Sequence, residues 1–142
     1  MLLKNKIALV TGSTQNIARQ GAKVVVHSRH EVDARKVAQE INGDFYTADV
    51  VDAAQVAAMF EHIKKTHGRL DILVNNMAHS TKGGILDITL EEWNRILAIN
   101  LISYFLCIQH AGRMMYAQGT AALSISPLVL ASARVQEARP MR

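Results

Sequence analysis

A doubly wound α/β fold, with a parallel sheet covered by helices on both faces, is predicted by two observations. Short, almost continuous apolar runs recur along the chain, each bounded by Gly, Asn or Asp, as strands buried on both faces require. Between most of them lie longer segments with helical apolar spacing, so strand and helix alternate.

The first run, Ile7-Ala8-Leu9-Val10, is stopped by the turn pair Thr11-Gly12, and Val24-Val25-Val26 repeats the pattern. A helix is expected over residues 31–41, where Val37 and Ile41 stand one turn apart. A third strand is expected over 45–50. A second helix follows over 53–65, with Val56, Phe60 and Ile63 on one face. Leu70-Asp71-Ile72-Leu73-Val74 reads as the fourth strand and 121–126, more weakly, as a fifth. The longest helix is expected over 89–116. Thr89 caps its first turn and Glu92, three residues on, reaches back to complete a capping box. Its stripe of Trp93, Ile96, Leu97, Leu101, Tyr104, Phe105 and Ile108 is wider than one sheet contact needs; it reads as core, with a subunit interface as the alternative for part of it.

Composition fits one soluble globular domain: 142 residues, 49% hydrophobic and 20% charged. We assign the domain to residues 1–131 and read 132–142, with three Arg, one Pro and little periodicity, as a frayed basic tail. Sixteen Lys and Arg against twelve Asp and Glu give a mild net charge of +4, scattered along the chain, so no nucleic-acid partner is expected. No apolar run approaches the roughly 20 residues of a membrane span, and no leader is seen. The lone Cys107 has no intrachain partner for a disulfide, which together points to a reducing cytoplasm. The pairs His62/His67 and His27/His30 lack the Cys or carboxylate company of a metal centre, and no metal is expected.

The sharpest chemical feature is the turn Thr11-Gly12-Ser13-Thr14-Gln15 directly after the first strand. A Gly there lets the backbone approach a phosphate, which helix-start amides then hold. The other strand ends carry Arg29, Asp49-Val50 and Asn75-Asn76, so four polar ends converge on the carboxyl edge where ligands bind in this architecture.

Five stretches together make the chain resemble the short-chain dehydrogenase/reductases, and among them the 3-oxoacyl carrier-protein reductases. They are residues 6–12, 21–26, Asp49-Val50, residues 71–76 and residues 92–101. The resemblance spans about residues 4–126. It implies a Rossmann-like sheet of about five strands in the order 3-2-1-4-5. It also implies a nicotinamide dinucleotide across the strand ends and hydride transfer at a carbonyl or alcohol carbon. By position, Thr11, Gly12 and Ser13 correspond to the start of the pyrophosphate loop. Arg29 stands where a basic residue takes the adenosine 2′-phosphate, favouring NADP over NAD, because a guanidinium fork suits a phosphate dianion. Asp49 corresponds to the acceptor for the adenine amino group, with Val50 beside the ring. Asn75 and Asn76 open an Asn-Asn-Ala-Gly motif that here reads Asn75-Asn76-Met77-Ala78, adding bulk near the cofactor. Asn100 corresponds to the Asn that holds a water in a proton relay to the catalytic Lys.

Two departures from the family pattern follow. The family's loop has two later glycines and then a helix of about three turns. Here either an eight-residue block holding both glycines is missing, or Asn16 and Ala18 replace them and the helix is missing. A strand of about five residues advances roughly 17 Å, whereas six or seven helical residues return only about 10 Å. The crossover over 11–22 is therefore expected to be partly extended and to leave one sheet face poorly covered. The second departure is catalytic. The family needs a Ser, a Tyr and a Lys four residues after the Tyr, but none of Tyr46, Tyr104 and Tyr116 has such a Lys. The Ser position falls at Ser126 or Pro127 and the Tyr position near Arg139 or Pro140. The fold is thus expected to be incomplete and truncated. The expected function is an NADP-dependent oxidoreductase with impaired catalysis. The alternative is a non-catalytic nucleotide-binding or oligomerisation module. That module would pair with itself or a full-length relative through helix 89–116.

Overall fold

The computed structural model describes residues 2–12, 18–81, 83–120 and 124–125. Four parallel strands stand in the order β3-β2-β1-β4: β1 (Ile7–Thr11), β2 (Lys23–Ser28), β3 (Asp44–Thr47) and β4 (Ile72–Asn75). A two-residue strand β5 (Ser124–Ile125) runs parallel to β4 on its outer side. Strand order reverses at β1, which pairs with both β2 and β4, so the topological switch point lies between β1 and β4. The expected α/β sheet order is the observed one. The proposed tail at 132–142, and the expected positions 126, 127, 139 and 140, lie outside the described residues.

Alternation of side chains divides the core in two. Leu9, Val25 and Leu73 point towards α2 (Ala53–His67) and a long helix, meeting Val56, Phe60, Ile63, Cys107, Ala111 and Met115. Ala8, Val10, Val24, Val26, Ile72 and Val74 point the other way, with Ala34 and Ala38 of α1 (Glu31–Glu40). The crossover from β1 to β2 ends in one 3-10 turn, Ala18–Gln20, and Gly21 then takes φ +92°. The expected poorly covered sheet face is not found: Ala8 and Val10 are 0% exposed and Leu3 and Ala18 pack against their cluster. The turn before β1 contributes to this, because Leu3 N–H donates to Gln20 O (3.1 Å) and Lys23 N–H to Lys6 O (2.9 Å).

The long helix is one continuous rod in three parts: α3 (Leu90–Leu97), a π turn (Ala98–Ile102) and α4 (Ser103–Ala117). Its core face is Ile99, Ser103, Cys107, Ala111 and Met115, one residue every four. The core reading of the large apolar stripe needs correction. Trp93, Leu101, Phe105 and Ile108 are 42–61% exposed, while the small residues Ser103, Cys107 and Ala111 let the rod lie close to the sheet. Thr89 caps the rod as expected, accepting from Glu92 N–H (3.2 Å), but the capping box is not closed. The Glu92 carboxylate instead takes a bond from His79 Nε2 (2.8 Å). At the far end the Gln118 carboxamide grips Leu70 just before β4, accepting from its N–H (2.8 Å) and donating to its carbonyl (2.9 Å).

Two carboxylates fix other corners of the fold. Asp52 caps α2 by accepting from Ala54 and Gln55 N–H, and Gly68 at φ +72° ends that helix. Asp71 accepts from Ile7 N–H (2.9 Å) and from the Arg69 guanidinium, tying the start of β1 to that of β4. Burial alone would raise the Asp71 pKa. Arg69, the Ile7 amide and the Lys6 ammonium outweigh it and hold the carboxyl below its ordinary range.

Candidate active site at the carboxyl edge of the sheet

β1 ends at the switch point, and there the chain is knitted to its neighbours on both sides. Gly12 takes φ +72°, a left-handed conformation that glycine adopts without strain, and its N–H donates to His27 O (3.1 Å). Its carbonyl accepts from Asn76 Nδ2 (3.0 Å). Thr11 is buried, and its Oγ1 donates to Val74 O (3.4 Å) and accepts from Asn76 N–H (3.1 Å). Asn75 is buried at the end of β4. The four residues Thr11, Gly12, Asn75 and Asn76 are therefore brought together across the crevice. Ser13 lies outside the described residues.

Arg29 and Asp49 stand at the ends of β2 and β3, on the other side of β1. Arg29 is exposed and makes no ion pair or hydrogen bond among the described residues, leaving its guanidinium available to an anion. Asp49 Oδ1 accepts from Val51 N–H (3.2 Å) and its own N–H donates to Gln55 Oε1 (2.9 Å), which fixes the carboxylate with Oδ2 uncommitted among the described residues. Val50, expected beside a ring, is 1% exposed and belongs to the core beneath the loop.

Asn100 lies in the π turn, partly buried. Its carboxamide accepts from His79 N–H (2.7 Å) and donates to His79 O (2.8 Å), so the side chain holds the loop after β4 directly. Tyr104, one turn on, donates its hydroxyl to Met77 O (2.7 Å), and burial pushes its phenol pKa up. The Asn100 side chain is thus engaged with the His79 backbone.

Four participants, His27, Tyr104, His79 and Glu92, were not legible as site residues. His27 is fully buried beneath the Asp49 loop and must donate from Nε2, because its partner, Ala48 O (2.9 Å), only accepts; Nδ1 has no hydrogen-bond partner among the described residues. Burial lowers its pKa, opposed by Ala48 O and the Asp49 charge and reinforced by Arg29. Tyr104 and the His79–Glu92 pair steady the β4 loop from the rod. Their only sequence-level trace is polar residues placed among apolar ones. Among the described residues no cluster of His, Cys, Asp or Glu has the arrangement of a metal site. A cavity of about 460 Å³ between Phe60, Lys64, His110 and Arg113 lies at the opposite edge, where α2 and the rod end.

Over residues 5–140 the chain is matched by a family model described as enoyl-(acyl carrier protein) reductase. The chain belongs to the short-chain dehydrogenase/reductase family. The chain is 34% identical over 130 residues to short-chain dehydrogenase reductase 5 of Arabidopsis thaliana, covering 83% of this chain and 50% of that protein. It is 33% identical over 115 residues to an NADP-dependent (R)-specific alcohol dehydrogenase of Lentilactobacillus kefiri, covering 72% and 46%. A solved short-chain dehydrogenase/reductase from Mycobacterium marinum superposes with TM-score 0.81 at 33% identity, over 87% of this chain and 56% of that one. The chain thus spans about half the length of the curated relatives it matches. Relatives in this family use nicotinamide dinucleotides, and the carboxyl edge of the sheet offers groups of the chemistry one needs: the Arg29 guanidinium, without a partner among the described residues, and the fixed Asp49 carboxylate at the ends of β2 and β3, and the left-handed Gly12 at the switch point. No helix among the described residues is long and apolar enough to cross a membrane.

Proposed function

We propose that the chain binds a nicotinamide dinucleotide along the carboxyl edge of the sheet, NADP in preference to NAD, as an oxidoreductase-type module of impaired catalysis. The observation that carries this reading is the exposed Arg29 guanidinium, unpaired among the described residues, on the same edge as Gly12 and Asn76. A dianionic 2′-phosphate is the ligand group such a fork fits best. Asp49 would accept from the adenine amino group, and Thr11, Gly12 and Asn76 would frame the sugar-phosphate path, with Ser13 continuing it. Asn75 anchors the end of β4, Val50 supports the Asp49 loop from below, and Asn100 positions the loop through His79. The cofactor, when bound, supplies a hydride for a carbonyl carbon. Turnover also needs a proton donor near neutral pH, and no Tyr in these 142 residues is followed four positions on by Lys. Ordinary ketone reduction by this chain alone is therefore expected to be slow or absent.

Titration calorimetry with NADPH and NADH tests the reading. The unmodified chain should bind NADPH more tightly, and Arg29→Asp should remove that preference with a loss of about tenfold or more in NADPH affinity. Equal affinity for both cofactors in the unmodified chain refutes the NADP assignment. A second reading, an oligomerisation module, is favoured by one specific observation: Leu101 and Phe105 on the rod are 61% and 58% exposed. The partner would be a second copy or a full-length relative, joined through that face.

A further inference from the structure

Met77 stands opposite Gly12 across the switch-point crevice. Its Sδ lies 3.2 Å from the point where a Cβ on Gly12 would stand, and Asn76 Nδ2 lies 3.4 Å from the same point. The Met77 backbone is fixed by the Tyr104 hydroxyl on its carbonyl (2.7 Å), and its side chain packs, half-buried, against the core cluster beneath. The thioether chain, with its three rotatable bonds, is the part of Met77 able to change rotamer. Arg29 and Asp49 lie on the β2 and β3 side of Gly12, whereas β5 and the rod lie on the β4 side. A dinucleotide reaching from one side to the other must cross the line between Gly12 and Asn76-Met77. Resting on the cofactor reading above, we infer that Met77 is a gate, whose side chain closes over Gly12 and must swing out before the second half of a dinucleotide is seated.

A closed gate lowers apparent affinity by the fraction of molecules in which it is open, because only those bind. Removing the thioether therefore tightens NADPH binding, whereas a ligand that stops short of the crevice gains nothing. The probes are NADPH and adenosine 2′,5′-bisphosphate, which carries the adenine and the 2′-phosphate without the nicotinamide half. Both are titrated by calorimetry into the unmodified chain, Met77→Ala and Met77→Leu, each first shown by circular dichroism to be folded. The expected result is NADPH affinity about five- to tenfold tighter in Met77→Ala. Met77→Leu keeps the bulk and stays near the unmodified chain, and the bisphosphate binds all three alike. If the bisphosphate binds but Met77→Ala takes NADPH no more tightly, the gate is refuted while the cofactor reading stands. If neither ligand binds any of the three folded proteins, the cofactor reading fails and the gate falls with it.

Discussion

At the scale of single residues, His27 couples the site to the stability of the sheet. Its imidazole is enclosed in the core, with one nitrogen spent on Ala48 O and the other without a partner among the described residues, so it is held neutral. In the unfolded chain the group ionises at its ordinary 6.5, and in the folded protein burial moves that value down. Below 6.5 the unfolded chain takes up a proton that the folded one does not. Stability present above that pH is therefore lost as pH falls towards the folded value. The urea midpoint should drop between pH 7 and pH 5. In His27→Gln, whose carboxamide still donates to Ala48 O, the drop should be shallower. Unfolding curves followed by circular dichroism across that range decide it, and identical slopes would exclude His27 as the titrating group. Asp71 acts in a separate window: its pKa is depressed, so its contribution persists to acid and disappears only as pH falls below the ordinary carboxylate range. Thr11, Gly12, Asn75 and Asn76 were legible because a strand end and a turn residue announce themselves locally. His27 was not, since whether a histidine at a strand exit faces water or core depends on which loop closes above it.

At the scale of elements, the strands and α2 were legible because burial on both faces leaves an uninterrupted apolar run and one-sided burial leaves a helical stripe. β3 is the instructive case: the expected strand over 45–50 is Asp44–Thr47, after which Ala48-Asp49-Val50 leaves the sheet to form the site loop. Apolar content continued past the last ladder bond because Val50 still had a core to enter. The rod misled for the opposite reason. The middle of its core face is made of the small residues Ser103, Cys107 and Ala111, while Trp93, Leu101, Phe105 and Ile108 face out, so much of the bulk pointed away from the sheet. The cap at its start was read correctly from Thr89, but the Glu92 partner depended on His79, in a loop that local spacing does not place. Thr89→Ala removes the acceptor for Glu92 N–H and should cost about 1 kcal/mol of stability, measured by urea unfolding. Glu92→Gln tests the same turn through a different bond, because a carboxamide oxygen still accepts from His79 Nε2.

At the scale of the whole molecule, the sheet buries both its faces, and among the described residues the rod carries several exposed large apolar side chains, Leu101, Phe105 and Ile108 among them. If a second copy covers them, Phe105→Glu should convert a self-associating protein to a monomer in sedimentation velocity while leaving its circular dichroism unchanged. A monomeric unmodified chain at high micromolar concentration would refute pairing with a second copy. A mechanical consequence follows from two carboxamides on the same rod, Asn100 in its π turn and Gln118 at its carboxyl end. Gln118 holds Leu70 just before β4 and Asn100 holds His79 just after it, each by one accepted and one donated bond. The intervening strand is strung like a wire between two posts on one beam, so it cannot slip along its axis unless a post gives way. Strand and rod should consequently open together: the amides of Leu70 and His79 should exchange with deuterium at matching rates, and Gln118→Ala should release both ends of the wire, not the near one alone.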